Sequence, residues 1–183
     1  MPRPFWAWFT AAWVACIIAG CGTDAPRRPG GYYLDDGPPA QAPGNLEDIP
    51  DAQPKPEPLR TSASKPYTAL GKQFVPMTQL KPYRARGRAS WYGRRYHGKP
   101  TASGEIYDMF AMSAAHPILP IPCYVRVTRL RTGASVVVRV NDRGPFHSGR
   151  LIDLSYVAAW KLGFVQNGGD EIEVELIIPP PIQ

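Results

Sequence analysis

The sequence predicts a small, mainly β barrel with one or two short helices, preceded by a disordered tether. Three observations carry that reading. Short apolar runs with period-two alternation recur through the C-terminal half, separated by turn residues. A single stretch, opening at Ser155, has the spacing and the caps of a helix. The composition also changes at Arg86, from proline-crowded sequence without apolar periodicity to dense apolar positions. Many short strands with so little helix favour a sheet closed on itself, because closure removes exposed edges.

Residues 1–20 stand outside that fold. Arg3 gives a positive start, Phe5 to Ile18 is apolar and uncharged, and small residues follow, the order of a secretory signal. The run is shorter than the roughly 18 to 20 apolar residues of a membrane-spanning helix. Ile18-Ala19-Gly20-Cys21 resembles the bacterial lipobox, which implies cleavage before Cys21 and acylation of its amine and thiol. Acyl chains at that position would anchor the protein in a membrane. Gly22, in place of the Asp that retains such proteins at the inner membrane, implies the outer membrane facing the periplasm. An ordinary signal that happens to contain Cys21 is the alternative. With Cys16 removed and Cys21 lipidated, Cys123 is left alone and no internal disulfide can form. Cys123 begins an apolar strand and reads as a buried structural thiol rather than a nucleophile.

Residues 21–85 are expected to form the lipidated start and a disordered, proline-rich tether that carries the domain away from the membrane. Within it, Leu70, Phe74, Val75 and Leu80 could instead dock on the domain surface. Residues 86–178 are the domain, enough chain for one small core, and 179–183 are a tail. Expected strands are Arg88–Tyr92, Met109–Ser113, Tyr124–Leu130, Ser135–Val140, Leu151–Leu154 and the alternating stretch from Glu171. Arg131-Thr132-Gly133 reads as a hairpin turn. The valine run at Ser135–Val140 suits a strand covered on both faces. Ser155 can cap a helix carrying Val157, Trp160 and Leu162, and Gly163 can end it.

The formal charge of +6 is modest and its cations are scattered, so no basic stripe points to nucleic acid. His97, His116 and His147 lack the close spacing of a metal site, and no cofactor is expected.

Three clusters could carry chemistry: Gly87 to Gly93 with Thr101-Ala-Ser-Gly-Glu105; Ser113 to His116; and Val140-Asn-Asp-Arg-Gly-Pro-Phe146 with Gly149 to Ser155. A carboxylate such as Asp142 or Glu105 at the mouth of a barrel can have its pKa raised enough to act as an acid. Glycosidic cleavage needs such a proton donor. Trp91, Tyr92 and Tyr96 could stack on sugar rings. Each residue also has a plainer reading. Asn141 to Pro145 could be a turn with an Asp–Arg pair, Trp91 a core residue and His116 a hydrogen-bonded structural histidine.

Together and in this order, the clusters resemble the rare lipoprotein A family, over about Gly87 to Gly163. The resemblance implies a six-stranded double-psi β-barrel and lytic transglycosylase action on the glycan strands of peptidoglycan. Such a cut falls between N-acetylmuramic acid and N-acetylglucosamine and leaves a 1,6-anhydro end. By position it implies a catalytic set of Asp142, the acid that then accepts the 6-hydroxyl proton as carboxylate, Glu105, the second carboxylate, and His116, a histidine of the same groove that positions a carboxylate or the sugar. Trp91, Tyr92, Ser103 and Arg143 are implied at the substrate; Arg143 is expected to orient its loop and Asp153 to serve the barrel, though each could touch glycan. The alternative is a non-catalytic, expansin-like module that binds or loosens the wall. Many family members carry a C-terminal SPOR domain; here Pro179 to Gln183 follow the last strand, so septal targeting by that route is not expected.

Overall fold

The computed structural model describes residues 36–180. The signal, the lipidation site Cys21 and the last three residues of the tail lie outside the described residues. A small hairpin, β1 (Tyr67–Ala69) and β2 (Lys72–Phe74), precedes six longer-range strands. These are β3 (Arg84–Tyr92), β4 (Ser113–Ala115), β5 (Cys123–Arg129), β6 (Ser135–Asp142), β7 (Arg150–Ser155) and β8 (Asp170–Ile177). They close into one barrel in the order β3-β7-β4-β6-β5-β8, with β8 returning to β3. Two pairs are parallel, β3 with β7 and β4 with β6, and the other pairs are antiparallel. Parallel neighbours need crossover connections. Here the two crossovers interlock, which is the architecture of the double-psi barrel.

Alternation builds the interior. Val125 and Val127 on β5, Val136, Val138 and Val140 on β6, Ile152 and Leu154 on β7, and Ile172 and Val174 on β8 are all buried. Burying each such side chain contributes about 1.5–3 kcal/mol. Cys123 sits among them, its thiol pushed up to about 12 by burial, as expected of a structural cysteine. The helix α1 (Tyr156–Lys161) is capped as read: the Ser155 side chain accepts from Ala158 N–H, and Gly163 closes it with φ of 73°. Trp160 is exposed, because Val157, Ala158, Ala159 and Leu162 fill the buried face. The strand expected at Met109–Ser113 begins only at Ser113. Met109 and Met112 are apolar because they plug the core from a turn, not because they alternate in a ladder.

The tether expectation needs correction from Asp36 onward. The chain there is extended, as its prolines require, but it is laid along the barrel by specific contacts. β4 is too short to cover β6, and the strap fills the gap: Ala52 N–H donates to Val137 O and Val137 N–H to Asp51 Oδ2. An uncovered strand edge would otherwise present unpaired amides. Arg60 N–H donates to Ile121 O, Met77 N–H to Ile118 O and Tyr67 Oη to Pro117 O. Leu46 is buried against the core, and the Lys161 ammonium donates to Ile49 O. Phe74 stacks on Tyr67 and meets Phe146, and Leu80 packs against the core, whereas Leu70 and Val75 are exposed. Composition alone could not reveal this, since backbone donors and acceptors carry most of the docking. Leu46→Ala should therefore lower stability by about 2–4 kcal/mol, read as a shift in the urea midpoint. A free tether would show no shift.

Candidate functional site

Asp142 ends β6 at a register shift. Ala114 pairs with Val140, but Ala115 pairs with Asp142, so Asn141 is the extra residue of a bulge. The bulge separates two neighbours. Asn141 stays with Arg139 on the side of Glu105, while Asp142 lines a groove of about 360 Å³ together with Trp91, Tyr92, Tyr96, Phe146 and Asp153. Its Oδ1 accepts from Ala102 N–H at 2.8 Å and Arg143 N–H at 2.7 Å. Burial raises its pKa, against the pull of those two amides and the Arg143 charge.

Arg143 does not pair with that carboxylate through its side chain. Its guanidinium donates to Ala63 O, His116 O and Leu119 O, bolting the strap and the 116–119 loop to the Asp142 turn. Most of its donors are thereby engaged in orienting the loop, while the residue still lines the groove. His116 is buried. Its Nδ1 accepts from Ile118 and Leu119 N–H, so Nε2 carries the proton and donates to Tyr83 Oη at 3.3 Å. Burial, helped by the Arg143 charge, takes its pKa down to about 3, and the ring is neutral at any working pH. His116 lines neither groove. Its backbone N–H donates to Asp142 O at 3.1 Å, which fits a positioning role and not contact with sugar.

Glu105 stands apart from Asp142. It lines a second groove of about 650 Å³, with strap residues Ile49 to Glu57 as the opposite wall. Arg139 bridges Glu105, at 2.6 Å, and Glu57 of the strap, at 2.8 Å; Asn141 Nδ2 also donates to Glu105. The Arg139 hydrogen bond, outweighing burial, holds the Glu105 carboxyl below the usual range, so it is ionised and not a proton donor. Ser103 is buried in the same loop, bonded to Thr101 Oγ1, and faces neither groove. Trp91 and Tyr92 line the Asp142 groove but are 7% exposed, so the exposed stacking platform expected of them is not formed. Trp91 Nε1 donates to Val165 O, and Tyr92 stacks on Tyr107 at 4.0 Å. Tyr96 lines the same groove at 39% exposure, with Arg95 and Lys99 over its ring and Tyr92 at its edge.

Two carboxyls of this groove were not assigned to it from sequence. Asp36 caps the loop that follows β3, accepting from Gly93 and Arg95 N–H. Gly93 must be glycine there, since a Cβ would lie 2.0 Å from Gly37 O. Nothing in the proline-rich sequence signalled Asp36. Asp153 had a signal: an acid set between Ile152 and Leu154 in an apolar strand, on the face turned away from the barrel interior. Among the described residues no group of His, Cys, Asp and Glu is arranged to hold a metal, and no helix is long and apolar enough to cross a membrane.

A closed barrel with paired parallel crossovers and an acid in a groove at the end of β6 defines a double-psi domain with a carboxylate site. Residues 84–174 match the protein family described as lytic transglycolase. The endolytic peptidoglycan transglycosylase RlpA of Vibrio cholerae is 47% identical over 165 residues, covering 90% of this chain and 61% of its own. That of Neisseria meningitidis serogroup B is 53% identical over 129 residues, covering 70% of this chain and 54% of its own. The chain belongs to the rare lipoprotein A family. It spans between half and two thirds of the length of these relatives. Among solved structures, a Streptomyces papain inhibitor aligns with 52% of this chain and 96% of its own, at 23% identity and a TM-score of 0.43.

Proposed function

We propose that this chain cleaves the glycan strands of peptidoglycan as a lytic transglycosylase. The observation that carries the reading is the groove in which Asp142, its pKa raised by burial, faces aromatic side chains. The relatives at about half identity, named endolytic peptidoglycan transglycosylases, support the substrate class.

The chemistry requires one proton to arrive and one to leave. A proton reaches the glycosidic oxygen as its bond to C1 of the muramyl residue breaks, releasing the N-acetylglucosamine hydroxyl. The muramyl 6-hydroxyl oxygen then bonds to C1 and its proton departs, giving the 1,6-anhydro end without water. In this reading the exchange runs through Asp142, which its raised pKa and its position in the groove support. His116 holds the loop that carries it, and Tyr96 lines the groove beside it. Glu105, ionised in the neighbouring groove, orders the 101–105 loop whose Ala102 N–H contacts Asp142. Trp91 and Tyr92 form the floor of the groove, with Arg143 and Ser103 fixing its walls. The signal, with acylation of Cys21, would hold the protein in the cell envelope, at the outer membrane facing the periplasm.

The competing reading is a wall-binding module. Incubating the detergent-solubilised full chain with sacculi, with and without prior amidase treatment, separates the two. Release of soluble glycan fragments is expected; sedimentation with intact sacculi and no release would favour the binder.

A further inference from the structure

Asp142 does not stand alone in its groove. Ala115 of β4 pairs with Asp142 of β6 on one side and with Asp153 of β7 on the other, and Asp153 pairs in turn with Ser90 of β3. Ser90, Asp153, Ala115 and Asp142 thus form one row across four strands, and all four line the same groove. Two strand spacings put the Asp142 and Asp153 Cα atoms roughly 10 Å apart. Carboxyls on such a row leave room between them for a glycosidic linkage. Glu105, by contrast, lies in the other groove, tied to Arg139.

We propose that Asp153 is the proton donor of the reaction and Asp142 the acceptor, the two working across Ala115. The proposal rests on the lytic transglycosylase reading and divides its two proton transfers between two residues. Asp153 delivers its proton to the glycosidic oxygen as the C1–O bond breaks. Asp142, as carboxylate, takes the proton of the muramyl 6-hydroxyl as its oxygen bonds to C1. Proton exchange with solvent restores both.

The environments fit that order. Asp142 Oδ1 accepts two backbone N–H bonds, which favour its charged form. The buried Asp153 Oδ1 accepts none among the described residues, and Arg150 lies 3.4 Å from Oδ2. A buried carboxyl so poorly supplied with donors is held more readily as the neutral acid. Burial, with the Asp36 carboxylate adding to it and Arg150 opposing, takes Asp153 up to about 6. The remaining charged or titratable groups lining the groove are Tyr92, Arg95, Tyr96, Arg143 and His147.

The test compares D153N and D142N in the full chain on two substrates. One is sacculi; the other is a muramyl oligosaccharide bearing a nitrophenyl leaving group, which needs no protonation to depart. D153N should lose about 10²–10⁴-fold of anhydromuramyl release from sacculi yet release nitrophenol at close to the wild-type rate. D142N should be slow on both. Loss of D153N activity on both substrates would overturn donation in favour of a structural role, and unchanged release from sacculi would remove Asp153 from the reaction. Wild-type protein that yields no anhydro product from either substrate would sink the underlying transglycosylase reading as well, a result distinct from the other two.

Discussion

Asp142→Asn is expected to reduce release of anhydromuramyl products from sacculi by about 10²–10⁴-fold, the range for loss of a group that transfers a proton in the transition state. The substitution is close to isosteric, and the Asn oxygen can still accept from Ala102 and Arg143 N–H. The turn therefore keeps its shape, and removing a buried carboxylate should leave the urea midpoint unchanged or raised. Binding to sacculi should persist. Such a combination of retained fold, retained binding and lost turnover assigns the effect to chemistry. A variant that keeps even a tenth of wild-type release would show that Asp142 is only part of the groove wall.

The second large effect is on stability and comes from His116. His116→Ala removes the acceptor of the Ile118 and Leu119 N–H groups and leaves a cavity beneath Tyr83. Leaving buried donors unpaired costs about 1–3 kcal/mol, and the cavity adds to it, so a loss of roughly 3–5 kcal/mol near pH 7.5 is expected. The pH dependence has a definite sign. His116 has a pKa of about 3 in the fold and 6.5 ordinarily. As pH falls, the unfolded chain takes up that proton first, so the advantage of the histidine is complete above 6.5 and drains away between 6.5 and 3. The gap between wild type and H116A should accordingly narrow by about 3 kcal/mol between about pH 7.5 and about pH 4. Asp153 works in the opposite direction. Its raised value, about 6 against 3.8, means that the fold gains stability as pH falls through that window. D153N should therefore make the acid loss steeper than in wild type. Urea titrations of the three proteins at the two pH values test both statements, and parallel pH profiles would contradict them.

The barrel was legible because its strands are half-buried and alternate, and the helix because Ser155 and Gly163 mark its ends. The strand at Met109–Ser113 was misplaced for a related reason: two buried methionines imitate a strand when they plug a core from a turn. The strap was missed because its docking runs through main-chain atoms and through single side chains such as Leu46 and Glu57, none of which makes a pattern. Motifs brought Asp142 forward but could not say which carboxyl shares its groove. That depends on the bulge at Asn141, which keeps Asn141 on the Glu105 side and turns Asp142 into the other groove, and on the pairing of Ala115, which aligns Asp142 with Asp153. Arg143 and His116 were legible as members of the site, yet their hydrogen bonds turn both inward to hold it.

The central claim is that this groove cuts glycan by internal attack of the muramyl 6-hydroxyl. Its most direct measurement is the mass of fragments released from sacculi by the full chain in isotopically labelled water. The account predicts muramyl ends lighter by one water than a hydrolytic product and free of label. Released fragments with a full-mass reducing end carrying the label would show hydrolysis and contradict it.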